Sequence, residues 1–140
     1  MKIITAWVLA IVFTSLALLH AYWAGGGKGA GMALPKQPNG KLVFQPGRAA
    51  CLVVALGLGG FASICLAHAG VISPLFLAGR TKVVLLVMGG IFGLRTIGDF
   101  KFVGLFRRVH PTDFSRMDRA FYTPLCAALC GSLVWLAWSE

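Results

Sequence analysis

From Ile3 to Ala24 the chain carries no charged residue, and its polar side chains are limited to Thr5, Thr14, Ser15, His20 and Tyr22. An α-helix advances about 1.5 Å per residue, so about 20 apolar residues are what it needs to cross a hydrocarbon layer of about 30 Å. The run is too long for a signal peptide and lacks a small-residue cleavage site. Three more apolar stretches follow, at about residues 49–72, 81–100 and 116–138. Charged residues make up 12% of the chain and hydrophobic ones 58%. A soluble domain carries roughly 25% charged residues, so this chain has too little polar surface to cover a water-soluble globule. The expected fold is all-α: a single membrane domain over residues 1–140, built as an integral membrane four-helix bundle with up-down topology.

Residues 25–48 carry Gly, Pro, Lys, Asn and Gln without apolar periodicity and read as a loop. Its Gly-rich start is not a phosphate-binding motif, because no strand precedes it and no Gly-Lys-Ser/Thr occurs. Residues 101–114 form a basic connector. An up-down bundle puts these two segments on one side, with Lys28, Lys36, Lys41, Arg48, Lys101, Arg107, Arg108, Arg116 and Arg119. The other side holds only Lys2, Arg80 and Lys82. Basic loops stay in the cytoplasm, so loops 25–48 and 101–115 are expected there, with both termini outside. Trp7, Trp135 and Trp138 then form the outer aromatic belt, and Tyr22 and Trp23 the inner one. On this reading the net charge of +9 serves topology and lipid headgroups, with Arg107 and Arg108 touching anionic lipid. The bilayer is the expected partner, and nucleic acid is not.

Local signals refine the spans. Gly89 and Gly93 are spaced to let a neighbouring helix approach closely. Ser115 with Asp118 reads as a helix start whose side chains satisfy free N–H groups. Pro124 either kinks the fourth span or opens a second helical piece. Cys51, Cys65, Cys126 and Cys130 lie in apolar runs without a redox or zinc spacing. They read as small buried residues, with a Cys51–Cys126 thiol pair left open. The three histidines sit on separate segments, so no metal site and no cofactor is expected. His68 reads as a packing residue and His110 as solvated.

The polar residues converge on one end of the bundle. Span 1 ends in His20-Ala21-Tyr22-Trp23, span 3 in Arg95-Thr96-Ile97-Gly98-Asp99, and span 4 begins around Asp118 and Tyr122. Arg95 lies 14 residues after Thr81, about 21 Å along the helix. A charge at the centre of a spanning helix costs on the order of 2.5–3.5 kcal/mol, so Arg95 should face the bundle, with Asp99 or Asp118 as its counter-charge. Two readings follow. In one, Arg95–Asp99 is a structural ion pair, His20 bonds a neighbouring helix, and Tyr22 and Trp23 anchor at headgroups. In the other, Tyr22, Trp23, Arg95, Asp118 and Tyr122 line a cytoplasm-facing pocket, and Asp99 or Asp118 orients His20 for proton transfer. His20 and Asp99 are then the candidate acid–base residues.

The stretches His-x-Tyr-Trp-Ala-x-Gly-Gly (20–27), Arg-x-x-Gly-Asp-Phe (95–100), Phe-Arg-Arg (106–108) and Tyr-x-Pro-Leu-Cys (122–126) resemble a bacterial family of short four-span membrane proteins catalogued as a domain of unknown function. The resemblance covers nearly the whole chain. It implies a bacterial inner-membrane location and four helices, and carries no activity. From the residues themselves, the expected function is binding of a lipid-like or small anionic amphipathic molecule, with acid–base chemistry as an extension. Two alternatives stand beside it: a small transporter working as a homodimer, and a non-catalytic membrane subunit or scaffold. Transport usually needs a carboxylate near mid-membrane, whereas the carboxylates here are at 99, 113, 118 and 140, all near span ends or in loops.

Overall fold

The computed structural model describes residues 1–73, 79–108 and 112–139. The protein is all-helical. Helix α1 spans Lys2–Ala24, α2 spans Arg48–His68, and α3 spans Thr81–Ile97. Helix α4 runs over Asp113–Trp138, and one 3-10 turn, Ala30–Ala33, interrupts the first loop. Three of these helices, α1, α2 and α4, are long and apolar enough to cross a membrane. Helix α3 has 17 residues. His110 lies outside the described residues.

The helices bury a mix of small and large side chains and leave many large apolar ones exposed, unlike a soluble bundle. On α1 the buried strip is Ala6, Leu9, Ala10 and Phe13; on α2 it is Cys51, Ala55, Leu58, Ala62 and Cys65. Both follow helical spacing. Outside lie Ile4, Val8, Ile11 and Leu18 on α1, and Leu52, Val53 and Leu56 on α2. Lipid contributes no hydrophobic drive between helices, so close approach through small residues supplies the packing energy.

Helix α1 packs chiefly on α2, and α3 on α4. Phe13, Phe61 and Phe92 tie α1, α2 and α3 together, with ring centroids 5.5 to 6.4 Å apart. At one end of the α3–α4 pair, the Lys82 ammonium lies 4.1 Å from the Trp138 ring centre; at the other, Arg95 meets Asp118. The two helices are therefore antiparallel. Gly89 and Gly93 make their contact close. A Cβ at Gly89 would lie 3.2 Å from Val134 Cγ2, and one at Gly93 would lie 3.3 Å from Cys130 Sγ. All four cysteines are free thiols, so no Cys51–Cys126 bond is present. His68 Nδ1 shares a 3.1 Å hydrogen bond with Thr81 Oγ1, linking α2 to the start of α3.

The start of α4 differs from the expected one. Thr112, not Ser115, is the N-cap. Its hydroxyl accepts from the Ser115 N–H at 3.1 Å, and the Ser115 hydroxyl accepts from the Thr112 N–H at 3.0 Å. The reciprocal cap starts the helix at Asp113, ahead of Asp118. Pro124 sits in the first turn of a second α-helical piece, Thr123–Trp138, and the helical path from Asp113 runs into that piece without a gap. The proline cannot bond the carbonyl one turn back, and residues Asp118–Tyr122 form a π-helical turn just before it. There the Thr123 N–H donates to the Asp118 carbonyl, five residues earlier. A π turn widens the helix by one residue without ending it.

Gly89→Leu should destabilise the protein by about 1–3 kcal/mol through overpacking against α4. Gly90→Leu, whose added side chain meets open space, should not. Thermal unfolding of the two variants in the same detergent checks this.

Candidate functional site

The connector after α3 and the start of α4 fold around one carboxylate. Asp118 is fully buried. Its Oδ1 accepts from Arg95 Nη2 at 2.7 Å. Its Oδ2 accepts from the Gly104 N–H at 2.9 Å and from Arg107 Nη1 at 3.0 Å. Arg107 Nη1 also donates to the Gly104 carbonyl at 3.1 Å. The counter-charge of Arg95 is thus Asp118, and the Arg95–Asp99 pair does not form. Arg107 is corrected as well: it is buried beside Asp118 rather than spread on headgroups, while Arg108 is exposed.

Asp99 builds the loop that makes this possible. Its Oδ1 accepts from the backbone N–H groups of Lys101, Phe102 and Val103 at 3.0, 2.7 and 2.9 Å. The loop then returns to α3, where the Leu105 N–H donates to the Thr96 carbonyl at 2.9 Å. At the crossing, Gly98 (φ +86°) and Gly104 (φ +89°) lie backbone to backbone. A Cβ at Gly104 would lie 2.6 Å from the Gly98 Cα, and one at Gly98 would overlap Val103. Only glycine fits at either position. The Arg-x-x-Gly-Asp-Phe motif therefore encodes a helix end, a crossing point and a loop cap. Partial burial pushes the Asp99 carboxyl up, but backbone hydrogen bonds from Phe102, Val103, Lys101 and its own amide outweigh this and leave it below the usual 3.8.

Beside the buried charges lies a cavity of about 510 Å³. Leu16, Leu19, His20 and Trp23 of α1 form one wall, and Ala50, Cys51 and Val54 of α2 another. Arg95 and Tyr122 face it from α3 and α4, and Met32, Leu34, Phe44 and Pro46 of the first loop line the remaining side. Of the residues singled out from sequence, the structure gathers His20, Trp23, Arg95 and Tyr122 around this space. Asp118 stands behind Arg95. Tyr22 and Asp99 do not line it: Tyr22 is exposed and packs on Gly27.

The lining side chains are well positioned. His20 Nδ1 donates to the Leu16 carbonyl at 2.8 Å, which leaves Nε2 as the second ring nitrogen. The His20 and Trp23 rings meet edge to face at 5.1 Å. The Tyr122 ring stacks with Phe114 at 6.1 Å and meets the edge of Phe121 at 5.7 Å. Arg95 Nη1 is buried and has no hydrogen-bond partner among the described residues, and the same holds for Arg107 Nε. Among those residues no group of three or more His, Cys, Asp or Glu is placed to hold a metal ion.

A family described as protein of unknown function (DUF3995) matches residues 6–133. The chain belongs to this family. The matched range holds every residue of the charged cluster and of the cavity. No curated protein and no solved structure matches the chain. In this DUF3995 chain two parts of the site were missed from sequence. Arg107 looked like one more cytoplasmic positive charge, and nothing in its local pattern separates it from Arg108. The apolar residues of loop 29–46 are scattered among glycines and prolines, so no periodicity marked them as a wall.

Asp118→Asn should cost several kcal/mol of stability, since it leaves the buried Arg107 and the partly exposed Arg95 without their counter-charge. Arg107→Ala should also destabilise, and Arg108→Ala should not; unfolding midpoints in detergent check all three. Because the Asp99 pKa is depressed by folding, its contribution is full above about 3.8 and falls away as pH drops through the lower folded value. Amide exchange at Lys101, Phe102 and Val103 should therefore gain protection with rising pH across that acid range, relative to the unfolded chain. Asp99→Ala should remove that dependence.

Proposed function

We propose that this chain is a four-span protein of the bacterial inner membrane that binds a lipid-like or amphipathic small molecule in the cavity between its helices. The observation that carries this reading is the cavity lining: an apolar wall with one partly exposed arginine set into it. Sites for small molecules have this character, with volumes of about 300–1,000 Å³, mostly apolar walls and a few polar groups that fix orientation.

Helix α3 supplies the fourth span. At 17 residues it reaches about 26 Å, short of a 30 Å core. Its outward face carries Val83, Val87, Ile91 and Leu94, each about half exposed or more, which suits contact with lipid. The basic loops 25–48 and 101–115 then lie in the cytoplasm by charge bias, and the cavity opens at that boundary. Arg95, two residues before the end of α3, takes an anionic or carbonyl group, and Tyr122 and Trp23 flank it. His20 is the acid–base candidate, because Leu16 fixes one ring nitrogen and the other is left for a ligand. Asp118 holds Arg95 in place from behind and does not itself meet the ligand. Asp99 acts as the loop cap.

Native mass spectrometry of the full chain released from bacterial membranes tests the reading. The parent should carry a co-purifying amphiphile. Val54→Trp, which fills the cavity from α2, should lose it, and Arg95→Lys should retain it at least about tenfold less well, the loss expected for one charge-assisted hydrogen bond. Tyr22→Ala should behave like the parent. Equal retention by Val54→Trp and the parent would overturn the reading.

A further inference from the structure

The buried charges beside the cavity do not cancel. Asp118 contributes one negative charge, and both its oxygens are occupied, Oδ1 by Arg95 and Oδ2 by Arg107 and the Gly104 N–H. Arg95 and Arg107 contribute two positive charges. The cluster thus holds one positive charge in excess, and Arg95, whose side chain is partly exposed, brings it to the cavity wall. The other titratable groups lining the cavity are His20, Tyr122 and Cys51, none of them a fixed anion. Asp99 lies on another groove with Arg95, its Oδ1 committed to three backbone amides. An adjoining cavity of about 180 Å³ shares Trp23, Leu34, Pro46 and Cys51 and adds Arg48, a further positive charge.

An uncompensated charge in an apolar setting is costly unless a partner neutralises it. The volume limits what that partner is attached to. A methylene occupies about as much space as a liquid water, roughly 30 Å³, so 510 Å³ holds about 17 such groups. That is room for one acyl chain with its head in a cavity that is open to its surroundings. Resting on the cavity reading above, we infer that the ligand is a single-chain amphiphile with a monoanionic head group. The head sits against the Arg95 guanidinium near Tyr122, and the chain lies along Leu16, Leu19, Val54 and Phe44. A long-chain carboxylate and a lysophospholipid phosphodiester share this chemistry.

The test uses the purified full chain in neutral detergent and compares four probes with the same 14-carbon chain: tetradecanoate, tetradecanol, tetradecylamine and the lysophosphatidylglycerol. Binding is read by native mass spectrometry. At least one of the two anions should bind about tenfold or more tightly than the alcohol and the amine, and the tighter of the two identifies the head group. Val54→Trp should block that binding. Arg95→Lys should shrink the preference for the anion over the alcohol, and Tyr22→Ala should leave it intact. If all four probes bind equally and Val54→Trp blocks them all, the monoanion inference fails while the cavity reading stands. If no probe binds in a manner that Val54→Trp blocks, both fail.

Discussion

One buried carboxylate organises one end of this bundle. Asp118 accepts from two guanidinium groups and a backbone amide, and those three donors come from α3 and from the connector that follows it. A charge of this kind is costly to remove from water, and its attraction for the arginines offsets that cost only when the geometry satisfies both oxygens. The arrangement consequently demands one conformation of the connector. The Asp99 cap, the Gly98–Gly104 crossing and the π turn at Asp118–Tyr122 are the local devices that meet the demand. Net stability is a weaker argument for such a cluster than specificity, because an apolar replacement of similar shape is often as stable.

The same interaction links fold to site. Asp118 holds Arg95 through Nη2, and Arg95 lines the cavity. Thr112 and Ser115 cap α4 immediately before Asp118, and Tyr122 follows one turn later, its ring held between Phe114 and Phe121. The polar wall of the cavity is therefore built by the helix start that also carries the counter-charge. The apolar wall comes from α1, α2 and the first loop. Neither half makes the cavity alone.

Much of this was legible in the residues. Run length and the scarcity of charge gave the helices to within a few residues: α1 was read as 3–24 and is Lys2–Ala24, and α3 was read as 81–100 and ends at Ile97. The close helix approach at Gly89 and Gly93 followed from their spacing. The penalty for exposing a guanidinium to lipid was enough to turn Arg95 inward. Sequence also brought His20, Trp23 and Tyr122 to the same end. It did not separate Asp99 from Asp118, because both lie within reach of Arg95 in a chain whose connector path is unknown.

Chain-local physics thus decides which segments are helical and which side chains avoid lipid, since each depends on neighbours a few residues away. Which carboxylate pairs with Arg95, why Arg107 is buried while Arg108 is not, and that loop 29–46 walls a cavity all depend on contacts distant in sequence. Arg95 and Asp118 are 23 residues apart, and the turn that joins them exists only because two glycine backbones cross. Tertiary packing made those choices, because a buried charge requires a partner but its local sequence does not specify which one.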